Sequence, residues 1–167
     1  MLSTSKIKEL FEALNKELQT LSVVGEIGIC GGAVMCLVFQ AREATKDIDA
    51  VFAPTEEIRE AAKKISLEYG LSEDWINDAA KGFFYKDPPR QEVLNFSNLR
   101  IWAPTPEYML AMKCTSARYD SNDKDDVIFL IQHLELSKAS EVFEIIEKYY
   151  PKKLIPSKTQ FFIEEIL

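Results

Sequence analysis

The sequence holds one histidine, three cysteines, and only six glycines and seven prolines in 167 residues. A lone histidine rules out a multi-histidine metal site, and His133 reads as a surface or core-edge residue. Cys30, Cys36 and Cys114 are odd in number, lie in apolar runs and lack Cys-x-x-Cys spacing. Neither a disulfide framework nor a zinc site follows, and all three read as small core residues. Scarce glycine and proline exclude fibrous and low-complexity chains, and no apolar run approaches the roughly 20 residues of a membrane span. The opening Met1-Leu2-Ser3-Thr4-Ser5-Lys6 soon reaches a charged residue, so a cytoplasmic protein with no membrane partner is expected. Positive charge is also short: 20 Lys and Arg face 27 Asp and Glu, a net charge of −7. Non-specific nucleic-acid binding is therefore not expected, whereas one ordered RNA end or a metal-bound nucleotide is compatible with this charge.

What the chain does have is apolar residues, 47% of the total, arranged in recognisable periods. The length suits one domain, residues 1–167, with a sheet-bearing core over about residues 22–104 and a helical part over about 105–167. Ile7, Leu10, Phe11, Leu14, Leu18 and Leu21 recur at helical spacing behind a serine-rich start, which predicts an opening amphipathic helix. Residues 23–30 are short and β-branched, Gly31-Gly32 interrupts them, and an apolar helix is expected from Ala33 to about Gln40. A second strand is read from Asp47 to Phe52. Thr55, Glu56 and Glu57 then open a helix that closes at Gly70. Residues 74–84 fit neither period. Gln91 to Phe96 and Leu99 to Ala103 predict a hairpin, and Thr105 with Pro106 starts a helix to about Arg118. Ser121 or Asn122 starts another through Leu134. Ser137 and Ser157 open two more, the last with a Ser157-x-x-Gln160 capping box. The sum is an α+β fold: a small mixed sheet flanked by helices, with a helical C-terminal half.

The chemistry gathers around the glycine turn. Two glycines between a strand and a helix let backbone amides come close to a bound phosphate. Downstream, Asp47 and Asp49 stand at i and i+2 on the expected strand, so both carboxylates share a face about 7 Å apart and suit a divalent cation. A solvated Asp-x-Asp on an edge strand is the plainer alternative, because inward-pointing charges also protect edges from aggregation. Lys113 has the plain reading of a solvated helix residue. Asp125 fits the favourable acidic first turn of a helix. Asp126 shares a side with Val127, Leu130, Ile131 and Leu134 and would point inward toward Lys113 or Arg118, either as a structural ion pair or in catalysis. Trp75, Phe83, Phe84 and Tyr85 form an aromatic cluster suited to core or lid packing, with base stacking as the alternative.

Gly31-Gly32, a helix, and then Asp47-Ile48-Asp49 resemble the signature of the nucleotidyltransferase superfamily typified by polymerase β. Three further stretches narrow the resemblance: Arg42-x-x-Thr45-x-Asp47-x-Asp49, Pro104-x-Pro106-Glu107-Tyr108-Met109-Leu110-Ala111-x-Lys113, and Asp123-x-x-Asp126. Together they are similar to the AbiEii-type toxins of abortive-infection and toxin–antitoxin systems and their uncharacterised relatives. The resemblance spans about residues 27–134.

It implies Asp47 and Asp49 as ligands of Mg2+ or Mn2+, with Gly31, Gly32, Thr45 and Lys113 on the nucleotide and Asp126 as the acidic partner of the later motif. Active members place a third carboxylate on a later strand beside the pair, and Glu92 is the candidate here. The implied reaction moves a nucleoside monophosphate from a nucleoside triphosphate onto an acceptor hydroxyl of a protein, an RNA end or a small molecule. An antitoxin protein is the implied partner. The alternative is a catalytically inactive binding or regulatory module of the same fold.

Overall fold

A computed structural model of the protein describes residues 1–116 and 121–167, with Ser121 described by its backbone alone. The chain divides into two compact units, residues 1–81 with 90–103, and residues 82–89 with 104–167.

In the first unit the order is β1 (Leu2–Ser3), α1 (Thr4–Thr20), β2 (Gly25–Cys30), α2 (Gly32–Leu37), β3 (Ala44–Thr45), β4 (Ile48–Ala53), α3 (Thr55–Tyr69), β5 (Ile76–Asn77), β6 (Arg90–Asn95) and β7 (Leu99–Pro104). Ser3 caps α1 by accepting from the Lys6 amide, and Ile7, Leu10, Phe11, Leu14 and Leu18 form its buried stripe. Leu21 falls just past the helix and is exposed. Gly70 ends α3 in the left-handed conformation, as its position after the last apolar residue predicts.

The five-stranded sheet runs β5-β4-β2-β7-β6, with β4 antiparallel and β7 parallel to β2, and β5 parallel to β4. It is the small mixed sheet expected. Because ladder partners share a face, Ile27, Ile29, Ile48, Ala50, Leu99 and Ile101 point one way, and all are buried. Gly25 shares their face and lies against Leu18 of α1 and Ile58 of α3, so these two helices cover it. Glu26, Gly28 and Cys30 of β2, Val51 and Asp49 of β4, Asn77 of β5 and Trp102 of β7 belong to the opposite face. There the Trp102 indole occupies the space over Gly28, where any Cβ would collide with it, and the Arg90 guanidinium carbon lies over the ring, 4.1 Å from its centroid.

Several boundaries differ from the sequence reading. β4 begins at Ile48, so Asp47 sits in the bend before the strand rather than within it. A second ladder, β1 with β3, pairs Leu2 with Thr45 and Ser3 with Ala44. Residues 74–84, which fit neither period, hold the two-residue β5 between short 3-10 turns.

The second unit carries α4 (Pro106–Ser116), α5 (Ser121–His133), α6 (Ala139–Tyr149) and α7 (Ser157–Ile166), which is the helical C-terminal half expected. Arg118, the expected end of α4, lies outside the described residues. Two cap assignments are corrected. Pro156 occupies the cap position of α7 and Gln160 reaches Glu164 instead, so the Ser157 capping box does not form. At α6 the capping group is Glu141, whose carboxylate accepts from the Ser137 and Lys138 amides at 2.8 and 3.0 Å. Cys30, Cys36 and Cys114 are all buried, as their apolar settings predict.

Candidate nucleotide and metal site

Gly31 closes β2 with φ +61° and ψ −139°, a backbone conformation that a side chain strains. Antiparallel pairing places Cys30 opposite Asp49, which brings the Asp49 carboxylate to the turn. A Cβ at Gly31 would stand 3.2 Å from Asp49 Oδ2. The missing side chain therefore lets the Asp49 carboxylate approach the turn backbone, with a gap between them of the size a Cβ would fill. At Gly32 a Cβ would run into the Thr45 hydroxyl and come within 3.1 Å of Arg42 Nη1. That second glycine lets the turn close onto the loop that precedes β4.

Thr45 ties this loop together. Its hydroxyl donates to the Asp47 carbonyl at 3.2 Å, and the residue is buried, so its observed role is to hold the loop. Asp47 and Asp49 are both half-buried. The β4 ladder fixes Asp49, whereas the bend held by Thr45 positions Asp47. Carboxylates on Asp49, beside the Gly31 backbone, and on Asp47, in the bend before β4, are oxygen donors of the kind a hard divalent cation takes.

Glu92 is not brought to the pair. It lies exposed on β6, the far edge of the sheet, and accepts from the Asn95 amide at 3.3 Å. Three strand spacings separate β6 from β4, roughly 14 Å. The residue beside Asp49 on β5 is instead Asn77, a neutral amide that accepts from the Ala79 amide. Among the described residues no group of three or more His, Cys, Asp or Glu side chains is arranged to hold a metal ion.

In the second unit α4 and α5 bring Lys113 and Asp126 together. Lys113 Nζ lies 2.6 Å from Asp126 Oδ2 and 3.0 Å from Asp123 Oδ1, with Lys113 and Asp126 both buried. The ammonium charge is matched locally by two carboxylates, and a phosphate would have to compete with them for its hydrogens. Asp125 is exposed, in line with its first-turn reading.

The aromatic cluster divides. Trp75 is core, its indole donating to the Ala62 carbonyl at 3.0 Å. In the second unit Phe84 stacks on Tyr108, and Tyr85 lines a cleft of about 360 Å3 with Tyr108, Tyr149 and Tyr150. His133 is exposed and stacks on Phe129.

Sequence reasoning missed Leu2, Ser3 and Asn77, because two-residue strands carry no period. Gly28 did carry a signal, since a glycine inside a β-branched run marks a close approach.

Residues 5–155 match the model of a family described as a nucleotidyltransferase of unknown function (DUF6036). Neither the curated proteins nor the solved structures yield a match to the chain.

Proposed function

We propose a function from one premise: the chain belongs to the nucleotidyltransferase family of unknown function that its residues 5–155 match. The reading is a magnesium-dependent transfer of a nucleoside monophosphate from a nucleoside triphosphate to an acceptor hydroxyl. The observation that carries it is the close approach of the Asp49 carboxylate to the Gly31 turn, where a Cβ would stand 3.2 Å from Asp49 Oδ2. Asp47 and Asp49 would hold Mg2+ or Mn2+, which when bound supplies positive charge to offset that of the phosphates. The Gly31-Gly32 turn offers close backbone approach to the nucleotide, and Thr45 keeps the carboxylate loop against that turn. The acceptor hydroxyl oxygen bonds to the α-phosphorus and yields its proton to solvent, the bond from the α-phosphorus to the α,β-bridging oxygen breaks, and pyrophosphate leaves. An AbiEii-like toxin role and an antitoxin partner complete the proposal on sequence resemblance alone, and a cytoplasmic setting on hydropathy and charge.

A second reading is favoured by a specific observation. Glu92 stands at the far edge of the sheet and Asn77 occupies the place beside Asp49, so a third carboxylate is missing from the pair among the described residues. A site with two carboxylates could bind a nucleotide without turning it over, as an inactive regulatory module would.

The deciding experiment supplies each α-labelled nucleoside triphosphate with Mg2+ and candidate protein, RNA and small-molecule acceptors. Label on an acceptor, reduced about 100-fold or more by Asp49→Asn, supports the enzyme. Magnesium-dependent binding with no transfer for any nucleotide establishes the inactive module instead.

A further inference from the structure

We infer that β1 is a latch for the carboxylate loop, so that metal binding at Asp47 and Asp49 depends on Leu2 and Ser3; this rests on the nucleotidyltransferase reading of that pair. Neither residue offers a charged side chain, and both act as positioning residues.

The ladder places Leu2 opposite Thr45 and Ser3 opposite Ala44. Thr45 is the residue whose hydroxyl holds the Asp47 carbonyl and whose side chain meets the Gly32 backbone. A shift of Thr45 therefore moves Asp47 and reopens the turn that faces Asp49. The next residue reaches the other arm of the site, because Thr4 Oγ1 donates to the Cys36 carbonyl in α2, the helix that follows the two glycines. Residues 2–4 thus bind both the loop before β4 and the helix after the turn.

A ladder of two residues has little stability of its own. What retains it is the burial of Leu2, 5% exposed, together with the Ser3 cap that joins β1 to α1. The latch is accordingly the weakest link in the frame of the site, and its release would loosen the loop without dismantling the five-stranded sheet.

The test is a Mn2+ titration, with free Mn2+ read by electron paramagnetic resonance, on wild type and on Leu2→Asp, Leu2→Ala, Leu2→Ile and Asp49→Asn. Native structure is monitored by the near-ultraviolet circular dichroism of Trp75 and Trp102, both in the first unit. Leu2→Asp should lose about tenfold or more in Mn2+ affinity with a native spectrum, while Leu2→Ile keeps wild-type affinity. Amide exchange at residues 44–47 should accelerate in Leu2→Asp, with β2 and β7 still protected. Wild-type Mn2+ affinity in a natively folded Leu2→Asp overturns the latch and leaves the functional reading standing. If Leu2→Asp does not fold, the milder truncation Leu2→Ala decides: a loss of Mn2+ affinity in the folded variant supports the latch, and unchanged affinity overturns it. Mn2+ binding that Asp49→Asn leaves untouched removes the functional reading and the latch with it.

Discussion

Glycine does three different jobs in the first unit. Gly31 supplies a positive φ beside Asp49, Gly32 admits the Thr45 hydroxyl, and Gly28 admits an indole. Gly28→Ala should force the Trp102 ring off the sheet and unstack Arg90, at a cost of about 1–3 kcal/mol read from urea denaturation. Gly82 is the contrasting case, with open space where a Cβ would stand and no positive φ. Gly82→Ala should be neutral or stabilising by about 0.4–1 kcal/mol, because it restricts the unfolded chain. Among the thiols, burial pushes Cys114 up to about 12. A thiolate is the reactive form, so Cys114 should resist thiol reagents at pH 8 in the folded protein and react on unfolding, as mass spectrometry of the labelled peptides would reveal.

At the scale of elements, legibility followed length. The stripe from Ile7 to Leu18 and the Gly70 stop announce α1 and α3, because several residues repeat one period and one residue supplies a conformation others avoid. β1, β3 and β5 have two residues each, too few to display alternation, and they form only when a distant segment offers a ladder. The site divides the same way. Gly31, Gly32 and Asp49 are legible as a local pattern, whereas the hold of Leu2 on Thr45 spans more than forty residues and leaves no local trace. Glu92 shows the converse: the right residue type on a strand, separated from Asp49 by the strand order, which the local sequence does not encode. The start of α6 carries its own prediction. Hydrogen bonds from the Ser137 and then the Lys138 amide hold the Glu141 carboxyl below its ordinary range. A folded-state value below the unfolded one means the ionised form favours folding. Its contribution is complete above the ordinary value of roughly 4.3 and is lost as pH falls through the lowered one. Wild type should therefore lose melting temperature in that acid window faster than Glu141→Gln, and parallel curves for the two would refute the capping role.

For the whole molecule, the acidic balance bears directly on how a nucleotide site behaves. The chain carries a net charge of −7, and among its described residues no helix is long and apolar enough to cross a membrane. In metal-free protein, Asp49 adds its charge to the like charges of an already acidic surface, which raises the energy of the folded state. Asp49→Asn removes one of them. The metal-free variant should thus be as stable as wild type or slightly more so. An aspartate whose role is to satisfy buried hydrogen bonds would instead cost on the order of 1–3 kcal/mol on the same substitution. The two cases differ in sign, which makes a simple melting curve informative. Adding Mg2+ with nucleoside triphosphate stabilises wild type because the ligand binds the folded state alone, with about 2.7 kcal/mol available at a hundredfold excess over the dissociation constant. Asp49→Asn should forgo most of that gain while starting from an equal or higher baseline. Melting curves of both proteins, with and without Mg2+ and each triphosphate, measure both quantities together. An equal ligand response in the two, or a metal-free variant that melts well below wild type, would make the carboxylate pair a structural feature of β4 and its preceding loop.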